Sequence, residues 1–130
     1  MKRKGILNSQ LAGLVAALGH TDQFAVADCG LPVPSGVPVV DLAVVAGLPG
    51  FREVLDVILE EVVVEESFIA SEALDHESGL WLRERQHLTG AQTAVSHEEF
   101  KKALSHCKFV VRTGADSAYA NIILKSGVPF

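Results

Sequence analysis

The chain has little of several things, and each scarcity removes a class of function. Among 130 residues there are 11 Lys and Arg against 16 Asp and Glu, a formal net charge of −5. A nucleic-acid surface needs clustered cations to neutralise phosphates, and the one basic cluster is Lys2-Arg3-Lys4. No apolar run reaches the length of a membrane span, and Met1 to Gly5 leads into a helix signal without the apolar core of a signal peptide. No contact with nucleic acid or membrane is expected, and the expected compartment is the cytoplasm. Cys29 and Cys107 lie far apart with no CxxC spacing, which suggests reduced, ordinary thiols. GxGxxG, the P-loop, GxSxG and HExxH are all missing, so dinucleotide, phosphate-cradling, serine hydrolase and zincin chemistry lack their mechanical parts. The five histidines include no pair at i, i+4 ligand spacing, and no metal is expected.

What is present is apolar residue, 48% of the chain, in an amount that suggests contacts between subunits. The length suits one domain over residues 1–130. Asn8 or Ser9 can cap a helix carrying Leu11, Leu14, Val15 and Leu18, with Gly19 placed to end it. Phe24 to Ala27 reads as a buried strand closed by Gly30, Pro32 and Pro34, so Asp28 falls at a strand's carboxyl end. A second strand is expected over Val37 to Val45, then a helix with Phe51, Val54, Leu55 and Ile58 on one face. The β-branched run from Val62 to Ala70, interrupted by Glu65 and Glu66, reads as strand. The charged segment Asp75 to Gln86 reads as a short surface helix or loop. Ser96 followed by Glu99 matches a capping box and starts a helix running to about Ser105, with His97 in its first turn. Phe109 to Val111 and Tyr119 to Leu124 supply further strands. Alternating signals with short connections predict an α/β fold, a three-layer sandwich with a central sheet flanked by helices. Ligands in such sheets gather at the carboxyl ends of strands, where Asp28 and Arg112 both fall.

Each candidate residue also has an ordinary role open to it. His20 suits a helix C-terminus as a cation, Asp28 can satisfy the donors of a turn, and Arg112 can pair with a carboxylate. Asp22 can orient the His20 ring or cap its own turn. His97 is poorly placed as a cation in a first helical turn, which favours a neutral imidazole. Together with Tyr119 and Asn121 these residues offer donors and acceptors suited to hydroxyl groups, and a titratable imidazole for proton transfer.

The segments KGILNSQLAGLVAALGHTDQFAVADCGLPVP, VSHEEFK and RTGADSAYANIILKSGVPF resemble the ribose pyranase and fucose mutarotase superfamily. The likeness runs from residue 4 to 130, while residues 72–92 resemble nothing in particular. It implies an α/β subunit in a ring-shaped homo-oligomer, commonly a decamer of two stacked pentamers. It also implies an enzyme without cofactor that interconverts pyranose and furanose D-ribose and supplies the form that ribokinase phosphorylates. By matching motifs, the proton donor is His20, and the sugar ligands are Asp28, His97, Tyr119, Ala120 and Asn121. The family carries an acidic residue directly after RTG, where this chain has Ala115, with Asp116 one place later. The alternatives are a mutarotase for another sugar such as fucose, against which the GLPVP turn speaks, and a non-catalytic sugar-binding regulatory module. The apolar segment NIILKSGVPF is expected to pack into a neighbouring subunit, and if the Tyr119 to Asn121 block meets another protomer's His20 and Asp28, each site is shared.

Overall fold

The computed structural model describes every residue from Met1 to Phe130. Asn8 caps α1 (Ser9–Ala16) by accepting a 2.9 Å hydrogen bond from the Leu11 N–H. The helix stops earlier than its apolar spacing predicts, because Gly19 serves the following loop instead. β1 (Gln23–Ala27) is followed by the short β2 (Val39–Asp41) and by α2 (Phe51–Leu59), whose Phe51, Val54, Leu55 and Ile58 are buried. β2 is a third of the expected length, since Val44 and Val45 leave the sheet and turn back toward Leu48.

β3 (Val64–Ala70) keeps Glu65 and Glu66 inside the strand. α3 (Glu77–Glu84) is the short surface helix expected in the charged segment: Glu77, Leu80, Arg83 and Glu84 are exposed, while Ser78, Gly79 and Leu82 form its buried face. β4 (Ala91–Val95) has no counterpart in the sequence reading. The capping box is real, with Ser96 and Glu99 bonding each other's backbone at the start of α4 (His97–Ala103). β5 (Cys107–Arg112) and β6 (Ile122–Ser126) complete the set.

The six strands form one sheet in the order β2-β5-β1-β6-β3-β4. β6 runs antiparallel to both of its neighbours, β1 and β3, while β1, β2 and β5 are mutually parallel, as are β3 and β4. Five carboxyl ends and the amino end of β6 therefore share one edge of the sheet. For Ile122 to Ser126 the expectation that NIILKSGVPF reaches into another subunit is overturned. Ile122, Ile123 and Leu124 are fully buried in this chain's own core, because β6 is the strand that holds the two parallel groups together.

Alternation along the strands builds two cores. Phe24, Val26, Phe109, Val111, Ile122 and Leu124 face α1, α2 and α3. Ala25, Ala27, Val110 and Ile123 face Phe100 of α4. Cys107 joins this second core although its parity matches Phe109. The register between β1 and β5 slips by one residue there, pairing Gln23 with Cys107 but Ala25 with Val110, and a bulge of this kind resets which face a side chain takes. Both cysteines are free, and burial pushes the Cys107 thiol up to about 12. No helix is long and apolar enough to cross a membrane.

Candidate functional site

At the carboxyl edge, Asp28 leaves β1 and meets Asn121, which enters β6. The Asp28 N–H donates to Asn121 Oδ1 at 2.9 Å, and Asn121 Nδ2 donates to Asp28 Oδ2 at 2.7 Å. The other carboxylate oxygen, Oδ1, accepts from the Gly30 N–H at 2.9 Å. Asn121 is fully buried, so this reciprocal pair satisfies both of its polar ends and fixes Asp28 as an acceptor facing the edge. Residues 119–121 are not strand, contrary to the apolar pattern. Tyr119 has φ +59°, and the Asn121 N–H closes a tight turn on the Tyr119 carbonyl at 2.8 Å. A bulky residue in the left-handed region is strained, and such strain persists where the surroundings hold it. Here Ser78 Oγ donates to the Ala118 carbonyl at 2.7 Å and Ala120 is fully buried.

Tyr119 lies between two imidazoles. Its ring centroid is 5.1 Å from that of His97, edge to face, and 5.0 Å from that of His76. His97 opens α4 and donates its backbone N–H to Glu72 Oε2 at 2.8 Å. Its Nδ1 is buried without a hydrogen-bond partner. An orphaned ring nitrogen beside a phenol and a carboxylate is the kind of group a polar ligand satisfies. A recess of about 290 Å³ adjoins Asp28, lined by Cys29, Gly30, Asp116 and Ser117 among others. Ala115, at the position where an acidic residue is expected, is buried, and Asp116 is exposed. Arg112 has the ordinary role, reaching Asp41 Oδ2 at 2.6 Å and the Cys29 carbonyl at 3.0 Å, which ties the ends of β2, β5 and β1 together.

His20 is not among these groups. It precedes β1, so it lies at the opposite edge of the sheet, separated from Asp28 by five strand residues that rise about 3.3 Å each. The loop that carries it is pinned to the end of β6: the Thr21 N–H donates to the Ser126 carbonyl at 2.9 Å, the Ser126 N–H donates to the Asp22 carbonyl at 2.9 Å, and Ser126 Oγ donates to the Gly19 carbonyl. Asp22 caps its own turn, Oδ2 accepting from the Gly19 N–H at 3.0 Å, and its other oxygen is 3.6 Å from Lys108 Nζ. The partner of His20 is Glu65, with Nε2 to Oε2 at 2.8 Å. Thr21, at φ +70°, and Tyr119 are the two non-glycine residues with positive φ, one in each loop of interest.

Sequence reading thus singles out the residues at both edges but not Glu65, Glu72 or His76. Glu65 carried a signal, a carboxylate inside a β-branched run. Glu72 and His76 sit in the stretch without recognisable pattern and reach the site only through the fold. No three His, Cys, Asp or Glu side chains converge to hold a metal ion. The widest concavity, about 530 Å³, lies elsewhere and is apolar, walled by Ile6, Leu7, Leu11, Leu42, Val44 and Leu48 among others, so it offers surface and not chemistry.

Residues 1–129 match the model of the RbsD / FucU transport protein family. The chain is 57% identical to a D-ribose pyranase of Cutibacterium acnes and 47% identical to one of Clostridium perfringens, in each case over the full length of both chains. Among solved structures it is similar to Bacillus subtilis RbsD complexed with D-ribose, with a TM-score of 0.92 at 43% identity. It is also similar to the fucose mutarotase of Streptococcus pneumoniae in complex with L-fucose, with a TM-score of 0.78 at 25% identity. Both likenesses cover all of each chain.

Proposed function

Because the chain belongs to the RbsD / FucU family, we propose that it is an intramolecular isomerase that interconverts the pyranose and furanose forms of D-ribose. The observation that carries the sugar assignment is the full-length likeness to the ribose complex at 43% identity, against 25% for the fucose enzyme. The reaction needs proton transfer only. From the pyranose, the anomeric hydroxyl gives up its proton, the bond from C1 to the ring oxygen breaks, and that oxygen takes a proton. Closure from the C4 hydroxyl reverses these steps. An imidazole with an unperturbed pKa of about 6.5 serves both directions near neutral pH. In this reading His20 transfers the proton, and Asp28, His97, Tyr119, Ala120 and Asn121 hold the sugar. No cofactor takes part, and the furanose product feeds a kinase such as ribokinase in the cytoplasm.

His20 and Asp28 stand at opposite edges of one subunit, so a site using both is assembled from two chains. Asp28 belongs with Asn121 on one side of that site, and His20 arrives from the neighbour. A ring gives every subunit one such one-sided contact, and a decamer of two pentameric rings is the proposed assembly. Exposed Leu7, Val44, Val45, Leu48 and Val57 around the apolar concavity supply surface for such contacts.

Saturation-transfer NMR on equilibrated D-ribose tests the activity: the protein should accelerate exchange between pyranose and furanose signals, and less so for L-fucose. Binding without acceleration would mark a non-catalytic sugar-binding module instead. Asp28→Asn is expected to weaken ribose binding about tenfold, as an unpaired buried polar group costs about 1–3 kcal/mol. Both carboxylate oxygens accept hydrogen bonds, from Gly30 and from Asn121, and an amide must turn its NH₂ toward one of these donors. Titration calorimetry giving unchanged affinity would return Asp28 to the role of a turn-satisfying residue.

A further inference from the structure

The amino edge carries a charge cluster that the sugar ligands leave unexplained. Glu65 on β3 uses its two oxygens separately: Oε2 meets His20 Nε2 at 2.8 Å, and Oε1 is 3.2 Å from Lys125 Nζ. Lys125, on the neighbouring β6, also reaches Glu66 Oε1 at 2.9 Å. The Glu65 carboxyl is held below its ordinary range chiefly by the His20 hydrogen bond; burial opposes this, and the Lys125 hydrogen bond and the His20 and Lys125 charges add to the lowering. Asp22 and Lys108, the other charged groups nearby, are engaged with the Gly19 N–H and with each other.

We propose that Glu65 is the positioning residue of His20. By accepting the Nε2 proton it sets the imidazole tautomer and leaves Nδ1 as the nitrogen that exchanges a proton with the sugar. The inference rests on the reading of His20 as the proton-transfer group. The geometry supports it on three counts. A neutral imidazole has one N–H and one lone pair, so an acceptor at Nε2 puts the lone pair on Nδ1. The strained Thr21 and the three hydrogen bonds from loop to Ser126 leave the backbone of His20 little freedom, so the ring is the part that still needs fixing. The His20 side chain is 52% exposed and meets no other side chain in hydrogen-bond distance, which leaves Nδ1 open to a neighbouring subunit's sugar. Lys125 holds the carboxylate from behind, on the oxygen that His20 does not use.

The test combines kinetics with ring nitrogen spectroscopy on the assembled protein. Glu65→Ala should lower kcat for pyranose–furanose exchange roughly 10- to 100-fold with KM little changed, the size of loss that misplacing a reacting group produces. Glu65→Gln, whose amide oxygen still accepts from Nε2–H, should recover a large part of it. Glu66→Gln, which removes the adjacent carboxylate on the same strand without touching the His20 bond, should keep the wild-type kcat. Nitrogen-15 spectra should show a proton on Nε2 of the neutral His20 ring in the wild type, and loss of that slowly exchanging signal in Glu65→Ala. In a His20→Ala background, Glu65→Ala should add nothing. An unchanged kcat in Glu65→Ala while His20→Ala is inactive overturns the proposal alone, as does an equal loss in Glu66→Gln. Full activity in His20→Ala overturns the underlying reading as well, while the spectra still report whether Glu65 fixes the ring.

Discussion

Subunits carrying His20→Ala, dissociated, mixed in equal amounts with subunits carrying Asn121→Ala and reassembled, are expected to regain about a quarter of wild-type exchange activity, given one-sided ring contacts. Separately each variant is expected to be nearly inactive. General acid–base catalysis contributes roughly 10²–10⁴-fold, and His20→Ala should forfeit most of it while keeping fold and assembly, since its ring is half exposed and outside both cores. Asn121→Ala removes the only side chain that bonds both the N–H and the carboxylate of Asp28. In a mixed ring, half of the Asp28 sides carry an intact Asn121, and half of those face a neighbour with an intact His20. Activity that stays at the level of the separate variants after verified subunit exchange would show that no site is shared. The two edges of this sheet make that outcome hard to reconcile with any joint role of His20 and Asp28.

Phe109→Ala should have the largest effect on stability, about 3–5 kcal/mol for truncating a buried aromatic. Phe109 has no exposed surface, and its ring stacks on Phe24 of the adjacent β1 with centroids 5.1 Å apart. Typical domains are stable by about 5–15 kcal/mol, so the variant would keep only part of its margin. A urea titration should give a much lower midpoint with an unchanged slope; a midpoint within experimental error of wild type would mean that the core closes over the gap. Because β5 lies between β2 and β1, loosening it also disturbs the Arg112 tie behind Asp28.

How much of this is legible in the sequence depends on whether the signal is local. The cap at Asn8, the capping box at Ser96 and Glu99, and the burial of Phe24 to Ala27 follow from neighbours within one turn or one strand. β4 is invisible because an edge strand with mostly exposed residues has no alternation to reveal it. Tyr119 to Asn121 misleads for the opposite reason: its apolar neighbours mimic a strand, whereas the positive φ of Tyr119 and the pairing of Asn121 with a residue 93 positions away are tertiary facts. Ile122 to Leu124 mislead in the same way, since an apolar run says that it is buried and not in which chain. Asp22 was a fair candidate for orienting His20 by proximity in sequence; the fold gives that contact to Glu65, 45 residues on.

The antiparallel β6 also dictates an order of events during synthesis. The groups β2-β5-β1 and β3-β4 touch through no other strand, so neither can be joined to the other until a segment translated after both has emerged. Until then β1 and β3 each present a bare, apolar edge, the type of surface on which nascent chains aggregate or exchange strands. The pairing of β1 with β6 then closes a loop of about a hundred residues, a slow kind of contact to make. Ribosome stalling between Arg112 and Ile122 would thus leave two unjoined half-sheets, and Asp28 without its Asn121 partner.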